Sequence, residues 1–335
     1  MDRSARLPSS PSSPSVPPPG SADPAQPAES SALSRAERFI WLTARVLEQR
    51  RFAYHFLGGG AEAVETALAA YLGADGGYGH ALEPDLRGPV SQPLHAVHAL
   101  RVLDGIGRCG GQRVERLCRY LTSVSTPDGA LPACHPSLRG YPAAPWVPSA
   151  DDRCGDLLTT GPVVGLLHRN EVWHAWLFRA TDFCWAAVTA LTEGGAMTRP
   201  YAVAAAVAFL DGAPDRARAE AAAERLGRRV REERLVEPVP APAVEPAQDR
   251  PLPADHGPGE PLRVHDIART PGSLARRWFT DAEVERSLDA LVAAQQEDGG
   301  WPPRERAWTP GAALEWRSLA TIEALLTLRA YGRPV

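Results

Sequence analysis

One arrangement recurs along this chain: an amphipathic helical stretch, a glycine-rich turn carrying an acidic residue, then a more apolar helical stretch. Helix 61–72 leads into Asp75-Gly-Gly-Tyr78 and the apolar stretch 94–106. Helix 112–124 leads into Asp128-Gly-Ala-Leu131, with helix 157–168 after a long loop. Helix 172–192 leads into Glu193-Gly-Gly-Ala196 and then 200–210, and helix 281–296 into Asp298-Gly-Gly-Trp301 and then 313–330. The gap between the last two turns is about twice a repeat of roughly 50 residues, which predicts a degenerate hairpin around 214–276. A pair with one polar and one apolar helix cannot bury itself alone. Apolar helices in an inner ring and amphipathic ones in an outer ring solve this, so the pattern predicts an all-α fold, an α/α toroid of five to six hairpins. The turns then deliver acidic and polar residues to the N-termini of the inner helices, where free N–H groups and the positive dipole end favour them.

The ends of the pattern set the organisation. Residues 1–33 are rich in Ser, Pro and Ala and predict a disordered tail without a secretory signal. Ser34-Arg-Ala-Glu37 reads as a capping box opening a helix to about Phe56, so a single toroid domain is expected over 34–335. A proline-rich stretch at about 237–261 reads as a long loop inside that domain.

Composition removes several classes of function. The net charge of −4 gives no field for nucleic acid, and the longest apolar run, Tyr201 to Leu210, is half a membrane span. Only peripheral contact with a membrane stays open. Every basic side chain is arginine, which excludes Schiff-base lysine chemistry and lysine-dependent phosphate loops. The arginine run of helix 214–234 reads as a solvated outer face. Five cysteines without CxxC spacing read as reduced thiols, hence a cytoplasmic location. No GxSxG, Walker A or dinucleotide fingerprint is present, and no cofactor is expected.

At Gln295-Gln-Glu-Asp-Gly299-Gly-Trp301 the chain resembles the QW repeat of squalene-hopene-type terpene cyclases and protein prenyltransferase β subunits, and Asp75-Gly-Gly-Tyr78 keeps the same turn. The likeness spans roughly residues 60–332 and implies the α/α toroid of that terpenoid cyclase and prenyltransferase superfamily. The segments Asp75 to Arg87, Tyr141-Pro-Ala-Ala-Pro-Trp146 and Glu315-Trp-Arg317 look like an uncharacterised bacterial group of single-toroid proteins. Repeat glycines, Gln and Trp are structural, so they imply a fold and no reaction.

Class II cyclases of that superfamily protonate an alkene or epoxide with an aspartic acid from a DxDD motif. Glu83-Pro84-Asp85 is the nearest counterpart, though Leu86 and Arg87 stand at the third and fourth places. Proline disfavours helix at Glu83, so an extended segment is expected, with both carboxyls on one side and Cα atoms roughly 6.6 Å apart. Arg87 falls on that side by the same count. Two close carboxyls in an apolar site would raise one pKa and give a protonated acid, whereas an adjacent guanidinium would give a plain ion-pair knot. His80, His95 and His98 adjoin the loop, and satisfied polar core residues are the commoner reading for them. Asp152-Arg-Cys154 matches part of the prenyltransferase zinc set, but no histidine follows His265, so no bound metal is expected. Trp173, Trp176 and Trp185 lie at helical spacing and read as core. Trp146, between prolines in a loop, reads as a cavity residue, as do Glu315 and Arg317 flanking Trp316.

The candidate set is therefore Asp85 and Glu83 as catalytic carboxyls, with His80, Arg87, Trp146, Glu315 and Arg317 around the ligand. The first functional reading is proton-initiated, class II-type cyclisation of an isoprenoid small molecule. Two alternatives remain: a non-catalytic toroid that binds a hydrophobic, glycan or peptide ligand, and a carbohydrate-active toroid pairing Glu83 or Asp85 with Glu315.

Overall fold

The computed structural model describes residues 31–149, 154–194, 199–237, 262–304 and 307–335. Among them twelve helices follow one another: α1 (Ala32–Thr43), α2 (Val46–Phe56), α3 (Ala61–Ala69), α4 (Pro93–Gly105), α5 (Gly111–Val124), α6 (Leu157–Arg169), α7 (Ala175–Glu193), α8 (Pro200–Gly212), α9 (Arg216–Glu232), α10 (Val264–Ile267), α11 (Asp281–Ala293) and α12 (Pro310–Ala330). Strand content is confined to two-residue pairs, β1 (Leu131–Pro132) antiparallel to β2 (Gly155–Asp156) and β3 (Val236–Glu237) parallel to β4 (Leu262–Arg263). The fold is all-α.

Helix starts follow from local chemistry. Ser31, Asp156, Asp215, Thr280 and Thr309 each turn a side-chain oxygen onto an otherwise unpaired N–H of the first turn. Pro93, Pro200 and Pro310 occupy first positions, where the missing N–H costs nothing.

The even-numbered helices form the inner ring. α4 packs on α6, α6 on α8, α8 on α10, and α12 closes the circle on α2. Neighbours run parallel: Arg45 and Arg51 of the α2 segment reach Glu315 and Glu323 of α12 in the same order, at 3.8 and 3.1 Å. The tightest contact joins α6 to α8, where small residues let the backbones meet. A Cβ on Gly161 would come within 2.8 Å of the Ala205 carbonyl, and one on Gly165 would run into that of Ala208. The odd-numbered helices lie outside, α1 against α12 and α2, α7 against α6 and α8, and α11 against α10 and α12. Most inner helices are accordingly apolar, α6 being buried continuously from Thr159 to Leu167, whereas α2 carries Glu48, Arg50 and Arg51.

The repeated turn is one structure used three times. Gly76, Gly129 and Gly299 sit at φ of +83°, +89° and +92°, a conformation that strains a side chain. Each donates its N–H to the residue three places earlier, Gly73, Thr126 and Gln296. In the last turn the Gln295 amide donates to the Ala32 and Gly299 carbonyls at 2.9 Å each, joining the last hairpin to the first. The Trp301 indole donates to the Leu291 carbonyl at 2.7 Å and is buried.

Several expectations change. The segment expected to be one helix to Phe56 is two, because Ala44 and Arg45 are extended and end α1 before α2 begins. The first cap is Ser31, which accepts from the Ser34 N–H at 3.1 Å, so Ser34 is a helical residue and no capping box with Glu37 forms. Trp173 does not join the core: it is 80% exposed and precedes α7, while Trp176 and Trp185 are buried as expected. The degenerate hairpin exists as α9 and a single-turn α10. Residues 1–30, Asp152, Gly195 and Ala196 of the Glu193-Gly-Gly-Ala196 turn, and positions 238–261 of the proline-rich loop lie outside the described residues. No helix among the described residues is long and apolar enough to cross a membrane.

Candidate functional site

Glu83, Pro84 and Asp85 form a turn, not the extended segment expected. The Leu86 N–H closes it on the Glu83 carbonyl at 3.1 Å, with Pro84 at the second position, where its fixed φ fits. The turn separates the two carboxyls. Just before it, His80 and Ala81 hold φ of +55° and +60°, two consecutive non-glycine residues in left-handed conformation. Such strain costs on the order of 1–2 kcal/mol per residue and is kept only where surroundings impose it. Arg45 imposes it here, donating to the Ala81 and Leu82 carbonyls at 2.8 and 3.2 Å.

Glu83 points to α4. Its backbone N–H donates to His95 Nδ1 at 2.9 Å, and its Oε2 lies 3.3 Å from His98 Nδ1. The first bond puts the His95 proton on Nε2. Both imidazoles stay neutral, since burial pulls each down to about 3, and nearby guanidiniums pull further. Neither Nε2 has a hydrogen-bond partner. Burial pushes the Glu83 carboxyl up to about 7, against the pull of Arg101 and Arg45 and with a small push from Glu315. Glu83 is thus a carboxyl that holds its proton near neutrality, in contact with a neutral histidine.

Asp85 points the other way. Its two oxygens accept indole N–H groups, Oδ2 from Trp146 at 2.9 Å and Oδ1 from Trp316 at 3.1 Å. Trp146 arrives because the 85–87 and 142–144 segments pair: Ala144 N–H donates to the Asp85 carbonyl and Arg87 N–H to that of Pro142. A third indole, Trp308, donates to the Pro84 carbonyl at 3.3 Å. Burial raises the Asp85 pKa; the two indole bonds and Arg87 oppose this, and Glu83 adds to it.

The expected knot between Asp85 and Arg87 does not form. Arg87 instead meets Glu315 at 2.9 Å, and Arg45 approaches the same carboxylate at 3.8 Å. Arg45 is bound to the fully buried Glu48 through two bonds of 2.9 and 2.8 Å. Burial alone would push Glu48 up, but Arg45 holds it below the usual carboxylate value. Glu315 is therefore committed to arginines.

Of the expected site residues, Asp85 meets Trp146 and Arg87 meets Glu315, whereas Glu83 turns to α4. Arg317 joins neither group. It binds Asp298 of the repeat turn at 2.6 and 2.7 Å and stacks over Phe39, because on α12 it does for that turn what Ser91 does for Asp75, at 2.7 Å. His80 stays on the loop with its side chain exposed. Sequence reasoning missed Arg45, Glu48 and the acceptor role of Asp85 toward Trp316. The signal for the first two lay in the Arg45–Glu48 spacing at a helix start, hidden by reading α1 and α2 as one helix. Cys154, from the partial zinc motif, is exposed.

No family model matches this chain, and no curated protein matches it. Among solved structures, a protein from Actinoplanes is similar over 90% of this chain and 98% of its own, at a TM-score of 0.56 and 17% identity. The type II terpene cyclase MstE from Scytonema, free of ligand, is similar over 89% of this chain and 88% of its own, at a TM-score of 0.49 and 14% identity. A variant of that cyclase in complex with its substrate, geranylgeranyl dihydroxybenzoate, covers 88% of this chain and 86% of its own at a TM-score of 0.48 and 13% identity. The Actinoplanes likeness shows the fold, and at a TM-score below 0.5 the cyclase likenesses carry nothing about chemistry.

Proposed function

We propose that this protein is a class II-type cyclase that protonates an isoprenoid chain within the ring, with Glu83 as the acid and Asp85 as a fixed counter-charge. The observation that carries the reading is the split between the two carboxyls. Glu83 is enclosed and holds its proton to about pH 7, while both oxygens of Asp85 are taken by indole donors. Burial raises both acids, but at Asp85 two indole bonds and Arg87 oppose the rise whereas at Glu83 only the pull of Arg101 and Arg45 does, an asymmetry that suits an acid and its electrostatic partner.

In the proposed step the Glu83 O–H bond breaks as the π pair of a terminal alkene takes the proton. The bonding pair stays on the Glu83 carboxylate, and a carbocation forms on the chain. Arg101 and Arg45 act on the new carboxylate favourably. The cation is attacked by the next alkene, closing a ring, and a final proton loss restores neutrality. Asp85 and the faces of Trp146 and Trp316 offer negative potential to the cation. Val46, Leu158 and Leu314, near the N-termini of the inner helices α2, α6 and α12, remain exposed and offer apolar contact there. The carbohydrate reading loses its second carboxyl, because Glu315 is held by Arg87 and Arg45.

The test is product analysis by mass spectrometry after incubation with geranyl, farnesyl and geranylgeranyl substrates. Wild type should give a cyclised isomer or hydrate. Glu83→Gln, which keeps shape and neutrality but has no acidic proton, should lower the rate by a factor on the order of 10² or more without lowering the melting temperature. Asp85→Asn is the less clean variant. Its amide would set a donor against an indole donor, so it should also lose on the order of 1–3 kcal/mol of stability. Full activity in Glu83→Gln, or no cyclised product from wild type on any of the three chains, overturns the assignment.

A further inference from the structure

Two consecutive residues before Glu83 hold a conformation that no helix end explains. The other described non-glycine residues with positive φ, Glu171 and Arg234, each follow a helix, α6 and α9, where the chain commonly turns left-handed. His80 and Ala81 follow no helix, and neither is glycine. Backbone strain of this kind persists only where contacts on several sides fix it, and it gathers where a group must be aimed.

The contacts come from Arg45, which the break between α1 and α2 leaves extended at the head of α2. Its Nε and Nη2 form a fork on Glu48, at 2.9 and 2.8 Å, and Glu48 is fully buried. That fork fixes the plane of the guanidinium. Nη1 then donates to the Ala81 and Leu82 carbonyls at 2.8 and 3.2 Å. The Leu82 carbonyl and the Glu83 N–H belong to one rigid peptide plane. Arg45 of α2 holds its oxygen, and His95 of α4 accepts its N–H at 2.9 Å, so the plane is pinned at both ends. From that pinned plane the Glu83 side chain places Oε2 at 3.3 Å from His98 Nδ1.

We infer that Arg45, anchored by Glu48, is the positioning residue of Glu83: it clamps residues 80–82 in the strained conformation from which the carboxyl is aimed at α4. Naming Glu83 the acid rests on the proposed function; the clamp rests on the hydrogen bonds and the strained backbone. Lysine at 45 would keep the charge, but its three donors share one nitrogen and cannot fork Glu48 while reaching both carbonyls. Glycine at 81 would adopt the same φ without strain, so less would have to be held.

Infrared spectra of the carboxyl band, taken as the difference between each protein and its Glu83→Gln counterpart, read the Glu83 titration without substrate. The charged and titratable groups facing Glu83 are His95, His98 and Arg101 on α4, Arg45 on α2, Glu315 on α12 and Asp85 on its own turn. Arg45→Lys changes none of these charges, so a moved midpoint reports a moved carboxyl. Wild type should titrate at about 7. In Arg45→Lys the midpoint should fall by about one pH unit or more, as the freed carboxyl reaches water. Adding Ala81→Gly should recover about half of that shift, because the strain no longer pulls the turn away. A wild-type midpoint at the ordinary carboxylate value, an Arg45→Lys midpoint equal to wild type, or a double variant no different from Arg45→Lys overturns the inference. If Arg45→Lys does not fold, the double variant decides: a folded protein titrating as wild type supports the clamp, and any other result overturns it. With a substrate that wild type cyclises, Arg45→Lys should lose on the order of 10²-fold in kcat at nearly unchanged KM, as a misplaced acid does. A midpoint that follows Arg45 without any cyclised product would sink the cyclase reading and leave the clamp standing. Cyclised product from an Arg45→Lys protein as active as wild type would do the reverse.

Discussion

The pKa of Glu83 makes a stability prediction that requires no substrate. Its folded-state value is about 7 against an ordinary 4.5. The folded protein therefore binds more protons than the unfolded chain between those two values, and stability from this group falls as pH rises through that window. At pH 5 the ionised form is scarce and the penalty is only about 0.8 kcal/mol, while at pH 8 it reaches about 3.3 kcal/mol. Glu83→Gln removes the penalty, because the amide stays neutral and can still donate to His98 Nδ1. Urea unfolding of both proteins across this range should show the variant gaining about 2.5 kcal/mol relative to wild type between pH 5 and pH 8. His95 and His98 act with the opposite sign. Their values are pulled to about 3, so stability falls as pH drops below 6.5, but both proteins share that loss and it cancels in the difference. A difference that stays flat with pH, or a Gln variant less stable than wild type at pH 8, would refute a buried, proton-holding Glu83.

Trp316→Phe keeps the ring but removes one of the two N–H donors to Asp85, so it should cost about 1–2 kcal/mol in urea unfolding at pH 7. A variant as stable as wild type would mean that the indole bond adds nothing net. Gly165→Ala places a methyl against the Ala208 carbonyl across the tightest inner-helix contact. It should cost about 1–3 kcal/mol in thermal unfolding, as overpacking does, and an unchanged melting temperature would show that α6 and α8 can separate.

The helices were legible because their signals are local. The turn glycines need a positive φ, and inner helices such as α6 and α8 are apolar along their length. The break between α1 and α2 was not legible, since Thr43-Ala44-Arg45 contains neither glycine nor proline. What holds it open is distant: Arg45 binds the carbonyls of Ala81 and Leu82, 36 and 37 residues away. The same dependence explains Trp173. Its spacing fits the stripe of Trp176 and Trp185, but α7 begins two residues after it, and side chains beyond a cap do not follow the helical face.

The site was half legible for the same physical reason. Residue types and their proximity in sequence marked Glu83, Asp85, Arg87, Trp146 and Glu315; of these Asp85 meets Trp146 and Arg87 meets Glu315, while Glu83 turns to α4. The pairing among them could not be read, because charge partners in a ring of parallel helices come from neighbouring helices. Arg87 passes over Asp85, two residues away, for Glu315, 228 residues away. Asp85 can be left to neutral indoles only because Glu315 takes the guanidinium. Were Arg87 bound to Asp85, that carboxyl would be fixed by a full charge, Glu315 would keep Arg45 alone, and the Asp85 charge would be spent on a neighbour. The exchange of partners leaves a carboxylate held by N–H dipoles, which a passing cation can still feel. That is the physical content of calling Asp85 a counter-charge, and Glu315, despite being absent from the proposed chemistry, is what makes it possible.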